Sequence, residues 1–196
     1  MVMRIRSLRT ENGFTLTELT VVLALIGVLL AVAFAGMKAV YDGQAVSNRQ
    51  AWFAREIGAP LQVLEESLTQ NIRLEAATPY SVTLLVDRAR YVGTELEFDN
   101  VERHVINATA DGQLTETVYA TDALRNNTGV LRTTVWSEHV ANQAAGVPLF
   151  AFLDDSGASV TATNAPTSSR RVDLRLVAEY DGRAFEGTRT VFFRNR

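Results

Sequence analysis

The sequence predicts an α+β fold, in which a long N-terminal helix, membrane-spanning in its first half, is packed by an antiparallel β-sheet head. Three observations predict it. Residues 19–37 form an apolar run without a charged side chain, leucines recur at helical spacing over residues 61–68, and short alternating segments fill the chain from residue 80 onward. A long helix followed by a series of strands is typical of the α+β class.

The apolar run, residues 19–37, is long enough to cross a bilayer. Its 19 residues would span about 28 Å as a helix, which is roughly the hydrocarbon thickness of a membrane. Arg4, Arg6 and Arg9 precede the run, whereas 16 basic and 20 acidic side chains follow it. This asymmetry predicts that the N-terminus stays in the cytoplasm and that the rest of the chain is exported.

Three kinds of membrane insertion or processing are compatible with the apolar run, and two of them are common to many exported proteins. It can be a permanent single-pass anchor, which would also suit a membrane-anchored enzyme, or a signal peptide whose removal releases a secreted binding domain. The triplets at residues 31–33 and 33–35 match the small-x-small cleavage pattern, although signal-peptide cores usually have about 7–15 apolar residues. Neither fate explains Glu18, which stands directly before the run. A carboxylate at the edge of a membrane helix costs free energy and commonly has a function, although at headgroup level it is tolerated.

The residues around Glu18 indicate the third kind of processing, in which the leader is removed and the apolar run is kept. The segment Gly13-Phe14-Thr15-Leu16-Thr17-Glu18, between a short basic leader and the apolar run, resembles the processing motif of type IV prepilins. This superfamily comprises major pilins, minor pilins and the pseudopilins of type II secretion. The resemblance implies cleavage after Gly13 by prepilin peptidase and N-methylation of Phe14 as the new N-terminus. It also implies that Glu18 pairs with the terminal amine of a neighbouring subunit. Thr17 departs from the pattern, because an aliphatic residue is commoner there.

The same resemblance implies a type IV pilin-like fold and a set of partners. These are other pilin or pseudopilin subunits through the N-terminal helix, the prepilin peptidase, the inner-membrane assembly platform and the membrane itself. The protein is expected first in the inner membrane and then in an extracytoplasmic pilus or pseudopilus. We expect three parts: a leader (residues 1–13), an assembly helix (residues 14–57) and an exported head (residues 58–196).

Within the superfamily, the sequence favours a minor pilin or pseudopilin of the initiation or tip complex, with a major pilin as the alternative. Ala35 stands where many major pilins have proline, and the absence of cysteine disagrees with pilins closed by a C-terminal disulfide loop. Residues 148–157, the strand from Arg171 and the closing residues 191–195 resemble J-type minor pseudopilins and W-type minor pilins. Glu18 argues against the K-type tip subunit.

Beyond the apolar run, a helix is expected to continue through residues 38–56. Gly58-Ala59-Pro60 should break or kink it, because proline lacks an N–H donor and restricts the residue before it. Leucines at positions 61, 64 and 68 and Ile72 then form a helical stripe, which predicts a core-facing helix. Thr78-Pro79 is expected to end the helical region.

From residue 80 the pattern changes to strands that are bounded by turn residues. Strict alternation over residues 171–177 and the turn Asp181-Gly182 indicate a closing hairpin. Alternation also implies one buried and one solvated face, and hence an antiparallel sheet. The predicted strands cover residues 80–86, 95–98, 103–109, 114–120, 130–136, 149–153, 171–177 and 185–193.

No motif for an enzyme, a cofactor or a metal site is apparent. His104 and His139 are the only histidines, and we predict that both are solvated. The segment 154–157 is expected to be an Asp/Gly turn rather than a calcium loop, which it does not match.

DNA binding is disfavoured by the charge. After cleavage at Gly13 the chain would carry 16 basic and 21 acidic side chains, a net charge of −5, which gives no overall attraction for nucleic acid. The arginines near the carboxyl end are instead expected to lie on a solvated, salt-bridged sheet face. They are Arg170, Arg171, Arg189, Arg194 and Arg196.

Overall fold

The computed structural model describes residues 15–87, 90–92, 95–97 and 101–193. The chain divides into two compact units, residues 1–49 and residues 50–196. The described part of the first unit is the front of helix α1 (Leu16–Phe53), in which every residue up to position 49 is exposed. Within the described residues, one helical stretch is long and apolar enough to cross a membrane, and it begins at Leu16.

The second unit begins with the end of α1 and a π-helical turn (Ala54–Gly58), which leads directly into helix α2 (Ala59–Thr69). The predicted break at Gly58-Ala59-Pro60 therefore takes the form of a π-helical turn, in which the Ala59 amide donates to the Ala54 carbonyl. Pro60 lies in the first turn of α2, where its fixed φ is favourable and its missing N–H costs little.

The helical region ends earlier than the leucine spacing predicts. Helix α2 stops at Thr69, and residues 71–77 form strand β1 (Asn71–Ala77). Buried Asn71 donates from Nδ2 to the Leu68 carbonyl and so satisfies a group at the end of the helix. Ile72, predicted to face the core, is 40% exposed in β1, whereas Leu74 is the buried apolar residue of that strand.

The strands form two larger sheets and a hairpin, all antiparallel within the described residues. A five-stranded sheet has the order β1-β2-β5-β6-β7, a three-stranded sheet the order β10-β9-β8, and β3 pairs with β4. A short helix, α3 (Ala165–Ser168), precedes β9. The strands after β1 are β2 (Ser81–Asp87), β3 (Arg90–Val92), β4 (Glu95–Glu97), β5 (Val101–Ala108), β6 (Leu114–Thr121), β7 (Asn127–Ser137), β8 (Phe150–Leu153), β9 (Arg171–Tyr180) and β10 (Arg183–Phe192).

The two edges of the five-stranded sheet are irregular. The pairing of β6 with its edge neighbour β7 shifts register at three places, and the pairing of β1 with β2 shifts at two. By contrast, β9 and β10 pair without a shift, around the turn at Asp181 and Gly182, whose φ angles are +51° and +68°. This confirms the predicted closing hairpin, whose two-residue turn needs positive φ at both positions.

One apolar core joins α2 to both larger sheets. Leu61, Leu64 and Leu68 are buried there, as their spacing predicts. Gly187 on β10 lies beneath the helix, where an added Cβ would clash with Ile57 and would approach Leu61 Cδ1 to 2.8 Å. The glycine therefore lets helix and strand approach closely. The predicted α+β fold, with a long N-terminal helix and an antiparallel sheet, is confirmed.

Candidate functional site

The candidate assembly site is the start of α1. Thr15 precedes the helix, and its amide and its Oγ1 each donate to Glu18 Oε2 at 2.9 Å. In return the Glu18 amide donates to Thr15 Oγ1 at 3.3 Å. This reciprocal arrangement is a capping box, which a threonine followed three residues later by glutamate favours. Gly13 and Phe14, the predicted processing residues, lie outside the described residues.

Sequence reasoning singled out Glu18 but missed Thr15. The T-x-x-E spacing directly before an apolar helix could have identified Thr15, because this spacing is the usual signature of a capping box. The capping box orients the Glu18 carboxylate at the amino end of α1, where the helix dipole favours negative charge. The structure thus gives Glu18 a defined position within its own chain.

Among the described residues of the first unit, the apolar side chains that follow Glu18 are exposed. Leu25 is 59% exposed, and the other large apolar residues of the run are similarly exposed. Covering such surface contributes roughly 25 cal/mol per Å² of apolar area removed from water. The helix therefore presents a carboxylate followed by a long apolar surface, which suits lipid or other apolar helices.

His104 is buried, so the prediction that it is solvated is wrong. It lies on the inner face of β5, where Nδ1 is 2.8 Å from Glu116 Oε1 and Nε2 is 3.3 Å from Glu102 Oε2. The sequence signal for this burial was the alternation of β5, because positions 104, 106 and 108 share the inner face. Both ring nitrogens face a carboxylate. Among the described residues no group of histidine, aspartate and glutamate side chains is placed to hold a metal ion.

His139 is exposed, as predicted, and interacts with a different carboxylate. Its Nδ1 is 3.3 Å from Oε2 of Glu56, a buried residue of the π-helical turn. Glu56 also accepts from Ser137 Oγ at 2.9 Å, from the Glu138 amide at 3.3 Å and from Arg55 Nε at 2.9 Å. Burial alone would raise the pKa of Glu56, but these hydrogen bonds together lower it below its ordinary value. The two histidines therefore belong to separate networks.

The segment 154–157 is a turn, as predicted. Asp154 Oδ1 accepts from the Ser156 hydroxyl at 2.7 Å, the Ala158 amide at 2.9 Å and the Ser156 amide at 2.8 Å. These hydrogen bonds lower the pKa of Asp154. Gly157 follows with a φ of +81°, which glycine adopts without strain.

Of the five carboxyl-terminal arginines predicted to lie on a salt-bridged face, the three that the structure describes lie beside carboxylates. Arg170 lies 3.4 Å from Asp155, Arg171 lies 3.5 Å from Asp173, and Arg189 lies 3.9 Å from Glu65. This agrees with the predicted salt-bridged face. Arg194 and Arg196 lie outside the described residues.

Comparison with known families finds a match at the amino end of the chain. Residues 8–34 match the prokaryotic N-terminal methylation motif, which supports the type IV prepilin and pseudopilin class. Members of this class are structural subunits and generally not enzymes, and the motif implies interaction with other pilins and with prepilin peptidase. The apolar helix and the motif together suit a single-pass inner-membrane protein. Comparison of the chain with curated proteins and with solved structures found no match.

Proposed function

We propose that this protein is a minor pilin or pseudopilin, a structural subunit of the initiation or tip complex of a type IV pilus or type II secretion pseudopilus. The methylation motif at residues 8–34, which extends into the exposed apolar front of α1, supports the pilin or pseudopilin class. Ala35 and the absence of cysteine favour a minor subunit. Prepilin peptidase removes residues 1–13, residues 14–57 serve as the assembly helix, and residues 58–196 form the exported head. The inner-membrane assembly platform then moves the subunit from the bilayer into the filament.

Repacking of α1 against like helices drives this assembly. Between residues 27 and 43 of α1, small residues recur at every fourth position, at Gly27, Ala31, Ala35, Ala39 and Gly43. Residues four apart are neighbours on the helix surface, and small side chains at such positions let two backbones approach closely in an apolar environment. The helix that anchors the subunit in the membrane is thus also suited to a helix bundle.

Glu18 sets the register of that bundle. Inside the bundle, the Phe14 ammonium and the Glu18 carboxylate are desolvated charges, and a buried charge without a partner is strongly destabilising. Staggered subunits supply each other with the missing partner. The capping box holds the Glu18 carboxylate near the helix start, and Thr15 therefore acts as its positioning residue until the amine of a neighbour reaches it.

The mass of the mature chain tests the proposal. Intact mass and N-terminal sequencing of protein from the membrane should show a chain that begins at N-methylated Phe14. A start at Phe34 or Gly36 would instead indicate signal peptidase and favour a secreted binding domain. An uncut Met1 would also contradict the proposal.

Substitution of Glu18 tests the register role. Glu18→Ala should leave cleavage intact but reduce incorporation into sheared filaments several-fold, because the neighbour's amine loses its partner. Glu11→Ala is the matched control, since that glutamate leaves with the leader and the mature subunit is unchanged. Equal incorporation of both variants would remove the register argument.

A further inference from the structure

The exposed apolar side chains of the head are concentrated on one hairpin, β6–β7. Beyond α1, six large apolar residues are exposed among those that the structure describes, and four of them lie between residues 124 and 135. The four are Leu124, Val130, Leu131 and Val135. Leu124, in the loop of the hairpin, is 82% exposed, more than any other large apolar side chain of the described residues. Exposed apolar side chains that cluster in this way mark interaction surfaces.

Leu124 belongs to a tightly hydrogen-bonded loop, residues 122–126, which joins β6 to β7. Asp122 Oδ1 accepts from the Asn126 amide at 2.8 Å and from the Leu124 amide at 2.9 Å, and Asp122 Oδ2 accepts from Asn126 Nδ2 at 3.1 Å. These hydrogen bonds from Asn126 and Leu124 lower the pKa of Asp122. The ionised carboxylate therefore holds the loop in its conformation.

Arg103 fixes the loop to the sheet. Its Nη2 donates to the Arg125 carbonyl at 2.6 Å, and its Nη1 donates to Asn127 Oδ1. The same guanidinium donates to both oxygens of Glu75 on β1, at 2.6 Å and 3.1 Å. Arg125 itself has a φ of +67°, which residues with a Cβ rarely adopt. Such strained positions persist only where their surroundings determine them, and they occur most often at functional sites.

Arg125 adds an available charge beside Leu124. It is exposed, and its guanidinium forms no ion pair with any residue that the structure describes, whereas Arg103 is paired with Glu75. An exposed leucine next to an unpaired arginine is complementary to an apolar pocket that is bordered by a carboxylate. Because the loop is already ordered, little conformational freedom would be lost when it binds such a pocket.

The loop lies at the opposite end of β7 from the π-helical turn. Strand β7 ends at Ser137, whose Oγ donates to Glu56 of that turn. The 11 residues of β7 span roughly 35 Å at about 3.3 Å per residue. A contact made through the loop therefore uses residues that are remote from the point where α1 enters the head.

We propose, on the basis of the proposed function, that the loop 122–126 is the surface through which the head binds a neighbouring subunit of the filament. Leu124 enters an apolar pocket of that subunit, and the Arg125 guanidinium donates to a carboxylate at the border of the pocket. Asp122 and Arg103 are positioning residues, because they hold the loop in the conformation that presents both side chains.

Thiol protection tests the proposal without knowledge of the neighbour. The chain has no cysteine, so Ala123→Cys places a single thiol on the exposed loop, and Ala184→Cys places one on an exposed position of β10 as the matched control. The Ala123→Cys thiol should react with a maleimide several times more slowly in sheared filaments than in the membrane pool. The Ala184→Cys thiol should react equally in both. Equal rates for Ala123→Cys in the two pools, or the same slowing at both positions, would overturn the proposal.

Substitutions of the two contact residues sharpen the test. Leu124→Asn and Arg125→Gln should each reduce incorporation into sheared filaments several-fold and leave denaturant unfolding of the head unchanged, because neither side chain is part of the core. Phe192→Asn removes another exposed apolar side chain of the head and, as the matched control, should incorporate as the wild type does. Wild-type incorporation of Leu124→Asn would contradict the loop contact alone, since cleavage after Gly13 is unaffected by it. An uncleaved wild-type chain would instead contradict the proposed function.

Discussion

The two compact units use the same apolar residue types in opposite ways. Leu25, in the first unit, is 59% exposed, whereas Leu64, in the second, is 1% exposed. The second unit covers its leucines with its own sheets, whereas the described helix of the first unit leaves its apolar side chains exposed. Under the proposed function, folding of the head and assembly through the helix therefore depend on separate sets of residues. Substitutions matched between the units should therefore separate the two processes.

The largest effect is expected from matched leucine truncations. Leu64→Ala removes a fully buried side chain from the core, which typically costs about 2–5 kcal/mol. Leu25→Ala should leave the unfolding free energy of the head unchanged, because Leu25 is not part of its core. Denaturant unfolding of the full chain in micelles, followed by near-ultraviolet circular dichroism, measures both. Comparable losses of stability in the two variants would show that the helix and the head unfold together.

Matched glycine-to-alanine substitutions should destabilise the head in the second unit and stabilise the helix in the first. Gly187→Ala places a methyl group against Ile57 and Leu61, and such overpacking typically costs about 1–3 kcal/mol. Gly27→Ala meets no atom within 4 Å and should favour the helix by up to about 1 kcal/mol. Head unfolding measures the first, and far-ultraviolet circular dichroism of the chain in micelles measures the second. A stable Gly187→Ala head would contradict the close approach of α2 and β10.

The smallest effect concerns the buried carboxylate where the helical segment enters the head. Because the pKa of Glu56 is lowered on folding, its charge stabilises the folded state above about pH 4.3, the ordinary glutamate value. This contribution is lost as the pH falls through the lower pKa of the folded state. Glu56→Gln should therefore cost about 1 kcal/mol at pH 7 and lose less stability than the wild type as the pH falls below about 4.3. Parallel pH profiles of the two proteins, measured by head unfolding, would show that Glu56 does not carry this acid sensitivity.

Local patterns predicted the parts of the fold that depend on near neighbours. The uncharged run predicted the front of α1, and alternation with an Asp-Gly turn predicted β9 and β10. Strand β1 was missed because Ile72 happens to continue the helical spacing of Leu64 and Leu68, although Asn71 already turns the chain. The alternation of β5 puts His104 on the same face as positions 106 and 108, but only the folded sheet shows that this face is the buried one.

Distant contacts explain what the sequence could not show of the candidate sites. Ser137 and His139, which hold Glu56, are 81 and 83 residues away from it, so no local pattern indicates that this carboxylate is buried. Glu18 could be predicted as a site residue because the motif and the apolar run that identify it, from Gly13 to Met37, are continuous in sequence.

The irregular edge strands of the five-stranded sheet, β1 and β7, affect how copies of this protein can associate. Unpaired strand edges invite edge-to-edge addition, which leads to aggregates or amyloid, and bulges are one of the ways in which proteins prevent it. The five-stranded sheet interrupts its pairing at both edges, β1 and β7. Under the proposed function, copies of the subunit accumulate in the membrane at high local concentration before they assemble. The irregular edge strands β1 and β7 then disfavour edge-to-edge addition through the five-stranded sheet.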